Sequence, residues 1–488
     1  MKFDKPKIEQ QSLEDRYTKY MRMFHWDKET MLAIRDGVNK ECRQALRHHK
    51  NPTREEPASM PFLDTCVSVS PTGKERGIYY AVDFGGTNLR VVRVEMSGTG
   101  VKACGHASMN FEEYGREFAP GLPRGLLDSH ATATMLFDSI ALFAKKFMTE
   151  NGDLAKAADG PFACGFTFSF PMEQHGIDSG VLTHWNKNFE TGRDTDDKVE
   201  GEADVCQLLD TAFSRNEVPL RVSAALNDTT GTLLSAAYSL RSVRGAPPCC
   251  IGLIVGTGMN ACYIEKTAPR FDYQGIIINT ECGGYRYKLP RNIIDRQVDC
   301  ATANLGQQLT EKICSGLYLA ELCRRAILRV FRWEAPPLAW VHDSLSTAAC
   351  CAAAYDADLS ATRVMLDRQL EWPEPSERTL EIVRDVCRAV LRRSANMVAV
   401  IIAALAKQSG RLQYAAGGIS VGIDGSVFVR NPQYREDIAV ALRFILGDGV
   451  GKLIHLHQAQ DGSGLGAAIL AALEDSRTMS RTQSLLDF

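Results

Sequence analysis

At 488 residues, 45% hydrophobic and 24% charged, the chain is long enough for two or three soluble globular domains. A net charge of −3 argues against nucleic acid or an anionic membrane surface as a partner. The longest apolar stretch, Met397–Ala406, is too short to span a bilayer and reads as a buried helix. The 15 cysteines contain no C-x-x-C pair, only the couples Cys249-Cys250 and Cys350-Cys351, a usage that fits reduced thiols rather than disulfides or zinc. The charged first residues have no apolar signal-like run and Leu486-Asp487-Phe488 is not a peroxisomal tripeptide, so the expected location is cytoplasmic.

Leu13 to His49 alternates charged and apolar groups at helical spacing and predicts one or two helices, ended by Asn51-Pro52. A strand block follows from about Ile78 to Asn110. Within it, Tyr79–Val94 reads as a β-hairpin whose tip carries Asp83, Gly85, Gly86, Thr87 and Asn88, with Arg90 just beyond. Adjacent glycines let backbone N–H groups approach a phosphate, Thr and Asn add neutral donors, and Asp83 can hold a metal's water shell. A helix near Thr132–Met148 precedes strands around Phe162–Phe170. Leu220–Leu226 is a short strand ending at Asn227-Asp228, and Thr230–Leu240 has helical periodicity. A second hairpin, Cys250–Ile264, places Gly256-Thr257-Gly258 at its tip. Beyond it come helices over Gln308–Trp333 and Leu380–Gln408, a strand-turn block over Leu412–Val429, and a closing helix after Gly464.

Strands alternating with helices predict an α/β protein. Two phosphate-cradling hairpins, one in each half, resemble the duplicated core of the actin-like ATPase (ribonuclease H-like) fold, two-lobed with a cleft between a small and a large domain. The halves divide near Leu226, giving parts 13–225 and 226–475 and a tail 476–488.

Three motifs suggest other functions and fail on context. Gly256-Thr-Gly-Met-Asn-Ala261 fits a dinucleotide fingerprint, but Cys262–Glu265 continues as strand where a helix is required. Gly418-Ile-Ser-Val-Gly422 fits a hydrolase elbow, but Ile423-Asp-Gly425 turns again instead of opening a helix. Gly449-Val-Gly-Lys452 lacks the Ser or Thr of a P-loop. The histidines show no metal spacing.

Between and beyond the hairpins lie Gly165-Phe-Thr-Phe-Ser-Phe-Pro171, Trp185-Asn-Lys-Asn-Phe189, Ala225-Leu-Asn-Asp-Thr229, Ile278-Asn-Thr-Glu-Cys-Gly283 and Gly306-Gln-Gln-Leu-Thr-Glu-Lys312. In these blocks, and in Ser315-Gly-Leu-Tyr-Leu-Ala-Glu321, the chain resembles the hexokinase family from about Met60 to Leu473, in the family's order and spacing. Taken singly the residues are dull: Asn227-Asp228 would be a helix cap, Lys187 a surface lysine, Glu311 a solvated helix residue. Jointly they supply paired donors and acceptors for a ring of hydroxyls, where an unmatched partner leaves a buried polar group unsatisfied.

The resemblance implies that Ser169, Asn186, Lys187, Asn227, Asp228, Asn260, Glu281 and Glu311 bind a hexose. It makes Asp228 the base for the 6-hydroxyl and Lys187 a second catalytic residue. It implies ATP with Mg²⁺, held by Asp83 (through water), Gly85, Gly86, Thr87, Asn88, Arg90, Gly256, Thr257 and Gly258. The adenosine side falls to Gly417-Gly-Ile-Ser-Val-Gly-Ile-Asp-Gly425, with Gly417, Gly418 and Ser420 as contacts, and to Asp461-Gly-Ser-Gly-Leu-Gly466, where a helix N-terminus favours negative charge. The implied partners are hexose and ATP, not nucleic acid or membrane.

Some positions depart from the family pattern. Asn186 stands where a threonine is usual, Cys282 replaces a tryptophan, Leu465 replaces a basic residue, and residues 339–357 match poorly. A sugar sensor without turnover and an actin-like ATPase acting on protein partners are the rival readings. A peroxisome-like organelle is the alternative location.

Overall fold

The computed structural model describes residues 11–85, 88–185, 189–201, 203–413, 417–459 and 461–486. Its strands are β1 (Leu63–Asp64), β2 (Arg76–Phe84), β3 (Asn88–Ser97), β4 (Val101–Asn110), β5 (Phe162–Phe168), β6 (Met172–Gly176), β7 (Ser179–Leu182), β8 (Leu220–Leu226), β9 (Cys249–Val255), β10 (Met259–Ile264), β11 (Ile277–Asn279), β12 (Ile419–Asp424) and β13 (Ile454–Gln458). They form a five-stranded sheet, β4-β3-β2-β5-β8, a six-stranded sheet, β1-β11-β10-β9-β12-β13, and a β6-β7 ribbon.

The two sheets repeat one plan. In each, three strands run antiparallel as a meander, β2-β3-β4 and β9-β10-β11, and the first then pairs in parallel with a later strand, β5 or β12, which pairs in parallel with the last. Parallel neighbours require a crossover, so helices lie between those strands. The alternating side chains of β2 show why the small sheet needs cover on both faces: Tyr80, Val82 and Phe84 enter one core, Tyr79 and Ala81 the other.

Two helices join the lobes. Asp228–Arg241 lies against the large sheet, where a Cβ on Gly252 would sit 2.3 Å from the Thr229 carbonyl oxygen. Gly462–Leu486 lies against the small sheet, where a Cβ on Gly165 would sit 2.1 Å from the Ala467 oxygen. The helices meet backbone to backbone, since a Cβ on Gly466 would come within 2.1 Å of the Gly231 oxygen. Only residues without a side chain allow such approach.

The predicted helices at the start appear as Leu13–Arg22 and Lys28–Lys50. Although first in sequence, they join the core of the large sheet through Tyr20, Met31, Ile34 and Val38, while the last helix covers the small sheet. The chain passes from one sheet to the other after Leu226. The single helix expected over Gln308–Trp333 is instead a short turn, Glu311–Cys314, and a helix, Gly316–Phe331. It breaks because the Gly316 and Leu317 N–H groups donate to the Gly256 and Thr257 carbonyls (2.7 and 3.1 Å), which swings the new helix onto the second hairpin. Glu377–Gln408 is apolar and long enough to cross a membrane, but its residues Met397–Ala406 are buried in the large lobe's core.

Candidate active site

Asp228 opens its helix at the carboxyl end of β8, where parallel α/β sheets receive ligands. Asn227 caps that helix: its Oδ1 accepts from Thr230 N (3.1 Å) and Thr230 Oγ1 (2.7 Å), and its Nδ2 donates to Thr229 Oγ1 (2.8 Å). The local reading of Asn227 as a cap is therefore true, and the cap starts the helix at Asp228.

Across from it, Asn260 on β10 donates to Asn279 Oδ1 and Glu281 Oε1, both at 3.0 Å, and Asn279 donates to the same Glu281 oxygen at 2.7 Å. Glu281 adopts a left-handed backbone (φ 51°, ψ 44°), uncommon for a side chain of its size. Burial raises its pKa above the usual carboxylate value, and Asp228 and Glu311 add to that, against the hydrogen bonds from Asn279 and Asn260. Glu311 opens the turn Glu311–Cys314, and its Oε2 accepts from Met259 N at 3.0 Å. A Cβ on Gly258 would lie 2.8 Å from that same oxygen, so the hairpin glycine makes room for the acid. Three carboxylates from three elements thus converge beside two amides.

Ser169 follows β5, its N–H donating to the Phe84 carbonyl (3.1 Å) at the end of β2. Asn186 and Lys187 lie outside the described residues. Their neighbour Trp185 is buried, stacks on Phe189 at 5.1 Å and donates its indole N–H to the Thr191 carbonyl (2.8 Å), which anchors Trp185 to the small lobe. Cys282 is buried with its sulfur 3.5 Å from that of Met259, filling space beside Glu281.

A second cluster forms where the first hairpin meets the closing helix. Arg90 donates through Nε to Asp83 Oδ2 (3.0 Å), through Nη1 to Asp461 Oδ1 (2.7 Å), and through Nη2 to Ser463 Oγ (2.8 Å) and again to Asp83. Ser463 Oγ donates to Asp83 Oδ2 at 2.8 Å. Asp424, at the end of β12, accepts from Gly425 N (2.6 Å) and Gly462 N (3.1 Å). Burial works against the charge of Arg90, but Asp83 and Asp461 outweigh it and raise its pKa. Burial also lifts Asp461, against the pull of Arg90.

Among the described residues, no protein donor reaches Asp83 Oδ1. Several carboxylates around one guanidinium, at a helix N-terminus, fit a hydrated Mg²⁺ carrying phosphates, because Mg²⁺ keeps much of its water and takes only one or two protein carboxylates. Gly85 donates to the Asn88 carbonyl (3.2 Å), and Gly256 donates to the Gly258 carbonyl (3.0 Å), closing the second hairpin with Thr257 exposed. Gly86 and Thr87 lie outside the described residues.

Three expected nucleotide contacts are not part of this assembly. Gly417, Gly418 and Ser420 lie at the amino end of β12, about 13 Å (Ser420) to about 23 Å (Gly417) of extended chain from Asp424. The Ser420 hydroxyl is buried and donates to the Pro247 carbonyl (2.9 Å), and Gly418 has φ 86° where a Cβ would strike the Leu453 oxygen. The correction follows from strand direction: β12 runs parallel to β9, so its carboxyl end, Asp424-Gly425, is the end beside the Gly256 tip. Asn279, Asp424, Asp461 and Ser463 were not singled out as contacts. Asn279 carried one signal, a polar residue in the apolar run Ile276–Asn279, two positions before Glu281.

The paired sheets, the two phosphate-type hairpins and the cleft between the lobes define a two-lobed α/β protein of the actin-like ATPase fold. Family models described as hexokinase match residues 16–238 and 250–473. The hexokinase of Toxoplasma gondii is 39% identical over 91% of this chain and 94% of its own length, and that of Plasmodium falciparum 38% over 95% and 92%. A crystal structure of a hexokinase superposes with a TM-score of 0.86 at 36% identity, covering 95% of this chain and 99% of the other. A Schistosoma mansoni hexokinase complexed with glucose gives 0.75 at 29%, covering 95% and 100%. The chain belongs to the hexokinase family.

Proposed function

We propose that the protein is an ATP-dependent hexokinase that transfers the γ-phosphoryl group of Mg-ATP to the 6-hydroxyl of glucose or a related hexose, the entry step of glycolysis. The observation that carries this reading is the convergence of Asp228, Glu281 and Glu311 beside Asn260 and Asn279. Carboxylates and amides together offer acceptors and donors to several hydroxyls at once.

In this reading Glu281, Glu311, Asn260, Asn227, Asn186 and Ser169 fix the ring, and Asp228 orients the 6-hydroxyl and accepts its proton as the phosphoryl bond forms. A loose transition state forms that bond late, so positioning matters more than strong basicity. Lys187 and the hairpin N–H groups offset charge on the transferred oxygens. Asp83 would hold the water of a bound Mg²⁺, which would supply neutralisation of phosphate charge. Closure of the lobes about the helix crossing at Gly231 and Gly466 excludes water as a rival acceptor.

A cytoplasmic or otherwise reducing compartment is part of the proposal, supported by 15 free thiols. No feature of the described residues favours the sugar-sensor alternative. The test is ADP formation from Mg-ATP with and without glucose, with glucose 6-phosphate followed in the same tube. Matched, glucose-dependent formation of both is expected. Sugar binding without turnover, or ADP release indifferent to sugar, would overturn the proposal.

A further inference from the structure

The large lobe contains a group of side chains that phosphoryl transfer does not use. Cys323 on the helix Gly316–Phe331, Cys350 on Thr347–Ala354 and Cys387 on Glu377–Gln408 bring their sulfurs within 4.8 Å of one another, and all three are fully buried. Helical neighbours of these cysteines, Leu319, Ile327, Ala353, Ala354, Val383 and Val390, are buried and apolar. A packed core has no need of three thiols at one point, because a thiol is a weak hydrogen-bonding group and alanine or valine fills similar space.

We propose that Cys323, Cys350 and Cys387 form a closed three-coordinate site for a trivalent thiophilic metalloid, of which arsenite is the simplest form. Sulfur bonds of about 2.3 Å to a pyramidal three-coordinate centre need sulfurs roughly 3.5 Å apart, inside the 4.8 Å within which the three lie. Charge selects the occupant. Three thiolates around a monovalent or divalent ion leave a net negative charge in a dry apolar core, which is costly, and zinc also asks for a fourth ligand. Three thiolates around a trivalent centre are neutral and complete. In the reaction three As–S bonds form and three As–O bonds break. Each thiol proton leaves on an arsenite hydroxyl as water, and nothing is oxidised or reduced.

The site joins elements that reach the phosphate hairpin, since Gly316 donates to the Gly256 carbonyl and Thr347 Oγ1 donates to the Gly316 carbonyl (2.5 Å).

The experiment is titration of the full-length protein, kept reduced with a phosphine, with sodium arsenite. Binding is read by sulfur-to-arsenic charge-transfer absorption and by X-ray absorption for the ligand count. One arsenic per chain bound by three sulfurs is expected, with a rise in melting temperature. Cys350→Ala should weaken binding about 100-fold or more by removing one arm of the chelate. Turnover of the metalloid-free variant shows that it is folded. The variant lacking both exposed cysteines, Cys104→Ala with Cys300→Ala, should bind as the parent does. Two-sulfur coordination, unchanged affinity in Cys350→Ala, or loss of binding in the exposed-cysteine variant would overturn the proposal.

Discussion

Two acidic clusters face the cleft, and they differ in what balances them. Of Asp228, Glu281 and Glu311, Glu281 accepts from the Asn260 and Asn279 amides and Glu311 from the Met259 N–H. Asp83, Asp424 and Asp461 surround a guanidinium and the start of a helix. The first arrangement keeps acceptors strong and raises Glu281, which suits neutral hydroxyls that donate. The second fixes the charge of Arg90 and spends little of the acids' capacity on each other, which suits a hydrated cation and its phosphates. Equal numbers of carboxylates therefore suit different chemistry because of their neighbours.

The sharpest way to break this contrast is Asp228→Ala. Turnover should fall by a factor on the order of 10³ while glucose binding, followed by calorimetry, persists. Comparable turnover would remove Asp228 as the base. Next in size is Arg90→Met, which leaves Asp83 and Asp461 facing each other without their cation. KM for Mg-ATP should rise roughly 10- to 100-fold, with KM for glucose little changed, as steady-state kinetics would show.

Gly258→Ala probes the other cluster from its hairpin side. Its Cβ would displace Glu311 Oε2, so KM for glucose should rise about tenfold, and KM for ATP less. The smallest effect is on stability. The raised pKa of Glu281 means that the folded chain holds that proton more firmly than the unfolded chain does. Its carboxylate therefore destabilises the fold as pH rises from the ordinary carboxylate range through the raised value. Glu281→Gln should melt higher than the parent at pH 7 to 8, and the difference should vanish in acid, where both side chains are neutral. Equal melting across that range would show that burial of Glu281 carries no such cost.

Both hairpins were legible because each is a local pattern, two apolar runs about a glycine turn, and the registers Phe84↔Leu89 and Val255↔Met259 follow from it. The rejected dinucleotide reading was legible for the same reason, since β10 continues as strand through Ile264. Ser420 was misplaced because a residue string does not say which end of its strand meets the cleft; the parallel pairing of β12 with β9 does. The break at Ser315 escaped notice because the cause lies in the carbonyls of Gly256 and Thr257, some 60 residues earlier.

By itself the sequence determined the two hairpins, the strands β5, β8 and β12, several of the long helices, the family, and Asp228 at a capped helix start, because period, caps and turn residues act over a few neighbouring positions. Only the tertiary structure decided the partners of Arg90, which reach 371 residues along the chain to Asp461, the place of Asn279 beside Glu281, and the meeting of three cysteines from three helices. Those contacts depend on how the helices Asp228–Arg241 and Gly462–Leu486 cross and how the sheets align, and no local pattern encodes a distance in space.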